Sequence, residues 1–178
     1  DLKVKVHRPD QAAAKEIFAK YLTPNLPISE GTLDQYANDR QGACDGMVSS
    51  LIEDMYSIGE ENKFLEVTYA KGEREIFYFK DFASGAMIEN IVARAKRKAV
   101  KREIEKSEMG ITLTDLKESV REEFKENEDL PNTTNPDDWA RISGRKGERI
   151  INVRTLMTGI NRKEQSIEDV PAGQGQYL

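Results

Sequence analysis

The sequence predicts an α+β fold in which several helices surround one small sheet. Apolar residues recur at helical spacing in segments on both sides of the middle of the chain. Between these segments, residues 64–69 and 75–79 are rich in aromatic and β-branched side chains, which favour strands. A late strand-like segment, residues 149–157, is expected to complete the sheet, because one hairpin alone is only marginally stable in water.

Five segments are predicted to be helical. They cover residues 10–22, 45–56, 85–105, 112–126 and 135–144. Apolar residues fall on one face of each long segment, as the spacing of Met47, Leu51 and Met55 illustrates. The starts are marked by side chains that can accept hydrogen bonds from the first helical N–H groups, those of Asp10, Ser84, Thr112 and Asn135.

The strands are predicted from a two-residue period. Residues 2–7 alternate apolar and polar side chains without an initiator Met or a cap before them, so we expect the chain to be a piece of something longer. Residues 70–73 supply the hairpin turn, in which Gly72 is free to adopt a positive φ. In the last strand, Ile151 and Val153 lie on the same side.

Composition excludes several functional classes. The 178 residues carry a net charge of −5, which argues against a dedicated nucleic-acid-binding protein. No apolar run approaches the ~20 residues that would span a membrane. Cys44 is the only cysteine and His7 the only histidine. An intrachain disulfide, a zinc site of several His and Cys, and a Ser-His-Asp triad away from His7 are therefore excluded. A cytoplasmic location is expected.

The chain alone is not predicted to be an enzyme. It has no Walker A motif to cradle nucleotide phosphates, and no residues are assigned as catalytic or as metal ligands. The acidic residues within 122–129 are expected to face solvent, and residues 144–147 to form a loop rather than an anion site. The six basic residues within 94–102 are expected to form a solvated helix face.

One helix start is a candidate binding site. Ser84 can cap the helix, and Gly85 and Ala86 have almost no side chain, so a planar ligand could approach the backbone N–H groups there. On these residues alone, an ordinary serine cap with no ligand is the favoured explanation.

The C-terminus is a second candidate. Residues 159–178 are polar, interrupted by Gly and Pro, and lack periodicity, which predicts a flexible tail. It ends in Tyr177, Leu178 and a free carboxylate, which could anchor a docking peptide. The alternative is a frayed terminus with no role.

Three segments resemble the C-terminal part of AAA ATPases, downstream of the strand that carries the arginine finger. Residues 6–10 and the Ala-rich helix after them are similar to the start of the small helical lid. Residues 82–88 are similar to the start of the lid helix with the sensor-2 region, and residues 111–116 to the last lid helix. The resemblance implies that Gly85 and Ala86 lie against bound nucleotide.

Within that superfamily, nearly the whole chain is similar to the ARC-type proteasome-associated ATPases of actinobacteria. Four segments carry the resemblance, residues 61–70, 78–82, 124–144 and 175–178. The third contains Asn-Thr-Thr-Asn-Pro-Asp-Asp-Trp and is specific because its composition is unusual.

The resemblance implies that the parent protein is a homohexameric ATPase that unfolds tagged proteins and delivers them to the 20S proteasome. ATP or ADP with Mg would be held by a large subdomain, and tagged substrates by N-terminal domains, neither of which this chain contains. This chain would hold no cofactor alone. Its tail would dock on the proteasome α-ring through Gln176, Tyr177 and the carboxylate of Leu178.

The resemblance also implies a division of the chain. Residues 1–8 would be the last strand of the AAA large subdomain. Residues 9–144 would form the helical lid, with the hairpin of a β-grasp-like sheet inserted at 63–80. Residues 145–158 would add the final strand of that sheet, and residues 159–178 would be the flexible tail with the docking end.

A different class of function is the alternative. The chain could be a non-catalytic adaptor that binds a partner protein by strand addition at the edge of its sheet. An exposed Phe64 or Phe79 at that edge would favour the adaptor. An independent enzyme is the weakest reading, because no nucleophile, base and orienting group can be assembled.

Overall fold

A computed structural model of the chain describes residues 8–128, 149–157 and 164–166, the last for the backbone alone. Within these ranges the helices are α1 (Gln11–Tyr21), α2 (Glu30–Gln35), α3 (Arg40–Tyr56), α4 (Phe79–Phe82), α5 (Gly85–Lys106) and α6 (Leu113–Glu126). The strands are β1 (Lys63–Tyr69), β2 (Arg74–Tyr78), β3 (Ile150–Thr155) and β4 (Glu164–Ser166). The predicted α+β class is confirmed.

Several boundaries differ from the sequence-based prediction. Helix α3 begins at Arg40 rather than at residue 45, because the side chain of Asp39 accepts a hydrogen bond from the N–H of Gln41 and caps the helix there. Helices α2 and α4 were not predicted, and Phe79 starts α4 instead of ending a strand. The predicted strand at 2–7 and helix at 135–144 lie outside the described residues.

The sheet has four strands in the order β2-β1-β3-β4, and each neighbouring pair is antiparallel. The hairpin turn places Gly72 at φ 85°, as its sequence predicts. Strand β1 pairs with β2 of the hairpin along one edge and with the late strand β3 along the other. Glu66, for example, lies opposite Ile76 on one side and opposite Arg154 on the other. The predicted sheet of a hairpin plus a late strand is therefore confirmed. Strand β4 corrects the expectation of a flexible tail at 159–178, because three of those residues, 164–166, extend the sheet.

The helices pack as pairs around one apolar core. Helix α1 lies against α3 and α5, and α5 lies against α6. The predicted inward face of α5 is buried, with Ile88, Val92, Ala95 and Ala99 each at most 4% exposed. Since α1 and α5 are in contact, residues of α1 lie beside the first turn of α5, where the candidate binding site was predicted.

Aromatic side chains join the sheet to the helices. The rings of Phe79 and Phe124 stack at 4.2 Å with an interplanar angle of 9°. Phe64 of β1 contacts both of these rings and that of Phe82 edge-on. Each such pair contributes about 0.5–1.5 kcal/mol beyond the apolar area that it buries. The cluster therefore fixes the short α4 segment, and the turn after it, against β1.

Candidate functional site

The first turn of α5 begins at a serine N-cap. Ser84 is in an extended conformation (φ −138°, ψ 162°), and its Oγ accepts a hydrogen bond from the N–H of Met87 at 3.3 Å. A helix offers no acceptor of its own to its first N–H groups. The N–H groups of Gly85 and Ala86 therefore lie at the positive end of a 22-residue helix, available to a ligand.

Glycine at position 85 is not required by the fold. A Cβ added to Gly85 would meet only the Cδ1 of Ile17, at an ordinary contact distance of 3.9 Å. The residue is half-buried, and Ala86 beside it is exposed. A glycine that neither backbone strain nor packing demands is consistent with close approach by another molecule.

Helix α1 supplies a wall next to this turn. The half-buried side chain of Ile17 is the group that a Cβ added at Gly85 would meet, and it adds an apolar surface. One turn further along α1, the hydroxyl of Tyr21 donates to Oε2 of Glu89 at 3.2 Å. This hydrogen bond and the nearby charge of Glu89 raise the pKa of the Tyr21 hydroxyl. The start of α5 is thus bounded by one apolar and one polar side chain of α1.

Ile17 and Tyr21 are the site residues that the sequence did not reveal. Both lie within residues 10–22, which were predicted to be helical, and both pack against the core. Their position beside Gly85 depends on the contact between α1 and α5, two helices that lie far apart in the chain. A single sequence carries no signal for that contact.

The other predicted site residues, Gln176, Tyr177 and Leu178, lie outside the described residues, so their docking role stays a prediction. Phe64 and Phe79, whose exposure would have favoured an adaptor, are each only 1% exposed. Among the described residues, no group of three or more His, Cys, Asp or Glu side chains could hold a metal ion. Nor does any helix in this part of the chain combine the length and apolar character of a membrane span.

Comparison with known proteins identifies the family. The family model described as ARC, AAA+ ATPase lid domain, matches residues 9–177. The chain belongs to this ARC lid family. This confirms the family that the sequence resembles, and it identifies the helical part of the fold as an AAA+ lid.

The relatives are longer proteins. Proteasome-associated ATPases of Saccharomonospora viridis, Parafrankia sp. and Streptomyces griseus subsp. griseus are 54%, 57% and 56% identical to this chain. The alignments cover 100% of the chain but only 30% of each relative. The ARC lid chain therefore spans less than a third of the curated relatives that it matches.

Proposed function

We propose that this chain is the lid and proteasome-docking region of a homohexameric AAA ATPase. The parent would unfold tagged proteins in the cytoplasm and deliver them to the bacterial 20S proteasome. Membership of the ARC lid family and the names of the relatives support this proposal. ATP or ADP and its Mg would be held mainly by the large subdomain, and this chain would contribute the lid that closes over them.

The observation that carries the lid role is the accessible start of α5. Gly85 and Ala86 carry the first two N–H groups of α5, and Ile17 offers an apolar surface at 3.9 Å from the Cβ position of Gly85. These residues fit a flat aromatic base or a ribose, which need close approach and one apolar wall. The first turn contains no arginine, so the lid would supply shape and backbone contacts rather than a charge. Lid closure would move this surface as part of a rigid body.

A valine at position 85 tests this contact in the intact ATPase. The two methyl groups of Gly85→Val would occupy the space that the nucleotide needs, and we expect the KM for ATP to rise roughly tenfold. The matched control is Gly31→Val in the first turn of α2, where an added Cβ meets no atom within 4 Å. An unchanged KM in Gly85→Val, with a folded ring, would refute the proposed contact.

The tail is proposed to act separately from the lid. Burial of Tyr177 contributes roughly 1.5–3 kcal/mol, and pairing of the terminal carboxylate of Leu178 with a lysine adds roughly 1–3 kcal/mol. After the cost of immobilisation, a single tail should bind only weakly, at about millimolar affinity. Six tails on one ring bind far more tightly, because each bound tail raises the effective concentration of the others.

Deletion of residues 176–178 tests the docking role. We expect the shortened ring to lose binding to the 20S α-ring and stimulation of proteolysis while its ATP hydrolysis is unchanged. Tyr177→Ala should reproduce the loss, whereas Gln174→Ala, just outside the docking end, should not. Loss of ATP hydrolysis together with binding would refute a purely docking role for the tail.

A further inference from the structure

We propose that Arg8 is a positioning residue that holds the turn before α5 in the conformation that presents Gly85 and Ala86 to nucleotide. The inference rests on the proposed nucleotide contact at these two residues. Arg8 lies just before α1, and the turn lies between α4 and α5, more than seventy positions away along the chain. Arg8 therefore connects the segment that leads into the lid with the site itself.

Two contacts tie Arg8 to a single residue of the turn. Its Nη1 donates a hydrogen bond to the backbone oxygen of Phe82 at 2.5 Å. Its guanidinium carbon also lies 5.3 Å from the centroid of the Phe82 ring, which is the distance of a cation–π contact. One side chain thus contacts both the backbone and the ring of Phe82, three residues before Gly85.

The carbonyl of Phe82 is a hydrogen-bond acceptor that α4 itself does not use. Phe82 ends α4, and the last carbonyls of a helix have no partner within it. The N–H of Ala83 donates back to the oxygen of Phe79 at 3.1 Å, and the chain then extends through Ser84 into α5. The ring of Phe82 is fixed by Phe64 and Phe77 of the sheet. The ring contacts locate the turn, and Arg8 orients its peptide groups.

The backbone beside Arg8 is itself anchored to the lid. The hydroxyl of Tyr56, at the end of α3, donates to the oxygen of Pro9 at 2.8 Å. Burial and the nearby charge of Asp10 raise the pKa of Tyr56 to about 12, so the hydroxyl keeps its proton at neutral pH. The carboxylate of Asp10 caps α1 by accepting from the N–H of Ala13 at 2.8 Å. The backbone next to Arg8 is therefore tied to both α1 and α3, which fixes the point from which its side chain extends.

The two contacts require an arginine. A guanidinium can stack on a ring with one face while its edge donates to a carbonyl, whereas the lysine ammonium is a point charge on a flexible stem. Arg8 is exposed overall, so its replacement should not collapse the core. Without Arg8 the turn should be less ordered. Nucleotide binding would then have to order it, and this would lower the affinity for nucleotide.

The test compares variants of the intact ATPase that contains this lid. We expect Arg8→Ala to raise the KM for ATP and the Kd for ADP roughly three- to tenfold while kcat stays within about twofold. Arg8→Lys should recover only part of the lost affinity. Arg97→Ala, which removes an exposed arginine of α5, should match the unmodified protein. Thermal unfolding of each variant checks that the ring is intact.

Three outcomes would overturn the inference. They are an unchanged KM in Arg8→Ala, full recovery by Arg8→Lys, and a fall in kcat at constant KM. If Arg8→Ala does not assemble, Arg8→Lys and Tyr56→Phe keep the inference testable, because both retain most of the packing and both should raise KM. If Gly85→Val raises KM and Arg8→Ala does not, only the positioning role fails. If neither changes KM, the proposed nucleotide contact fails as well.

Discussion

The two ends of α5 are built in opposite ways. At its C-terminal end, Ser107 adopts a left-handed conformation, and the chain then turns through Gly110, at φ 94°, into α6. The N–H of Ile111 donates to the oxygen of Pro27, and the oxygen of Ile111 accepts from the N–H of Ser29. At the N-terminal end, a serine cap is followed by Gly85 and Ala86, and a Cβ added at Gly85 would meet only the Cδ1 of Ile17, at 3.9 Å.

Polar contacts follow the same division. Arg102, near the C-terminal end, makes hydrogen bonds to both carboxylate oxygens of Asp115 and to the oxygen of Gly110. Asp115 in turn accepts from the N–H and the hydroxyl of Thr112, which starts α6. The difference between the two ends indicates that the fold is stabilised at the α5–α6 connection, which leaves the start of α5 free to serve a ligand.

The largest expected effect is at Gly110. Its φ of 94° is unfavourable for any other residue, and an added Cβ would lie 2.4 Å from the backbone carbon of Ile28. Gly110→Ala should therefore lower the free energy of unfolding by about 3–4 kcal/mol, or the melting temperature by roughly 10 °C. Gly31→Ala is the control, because the space around Gly31 is open. Equal stability of the two variants in urea unfolding would contradict the proposed stabilisation of the connection.

The next largest effect is expected at Asp115, whose side chain is 7% exposed and pairs with Arg102. Asp115→Asn removes the charge and one acceptor of a nearly buried hydrogen-bond network, and we expect a loss of about 2 kcal/mol in unfolding free energy. Glu126→Gln is the matched control, because Glu126 also pairs with an arginine of α5 but is 61% exposed. Its substitution should change stability little. A larger loss in Glu126→Gln would show that the stabilising contacts lie elsewhere on α6.

The contribution of Asp115 should depend on pH. Burial disfavours its carboxylate, but the hydrogen bonds from Arg102 and Thr112 outweigh burial and lower its pKa below 3.8. A group whose pKa is lower in the folded state stabilises above its unfolded pKa, and the gain is lost as pH falls through the folded value. The stability difference between the unmodified chain and Asp115→Asn should be constant from about pH 7 to 5 and shrink below about pH 4. A difference that persists unchanged at pH 3 in urea unfolding would contradict the ionic role.

Local patterns were enough to predict most of the secondary structure. The hairpin, the late strand, α5 and α6 all follow from periodicity and caps, and the Thr112–Asp115 capping box begins α6 as expected. Helices α2 and α4 escaped prediction, because segments of six and four residues are too short to show a helical period. Strand β4 was missed because its three residues owe their structure to pairing with β3.

Contacts between distant segments could not be predicted from one sequence. Six basic residues in α5 indicated a solvated face, yet Arg94, Lys98 and Arg102 form ion pairs with α6. Their spacing of four places them on one side of the helix, but the partner helix was unknown. The same limit applies to the site, where Gly85 was predicted from its own segment but Ile17, Tyr21 and Arg8 are brought to it by the fold.

The smallest expected effect is at Gly85, and it sharpens the contrast with Gly110. The added methyl group of Gly85→Ala would meet only Ile17 Cδ1, at 3.9 Å. Alanine also reduces the conformational freedom of the unfolded chain, so stability should be unchanged or rise by about 0.5 kcal/mol. Urea unfolding of Gly85→Ala and Gly110→Ala under the same conditions compares their free energies of unfolding directly. A destabilisation at Gly85 close to that at Gly110 would mean that the fold itself needs glycine at the start of α5, and a ligand would not be needed to explain this glycine.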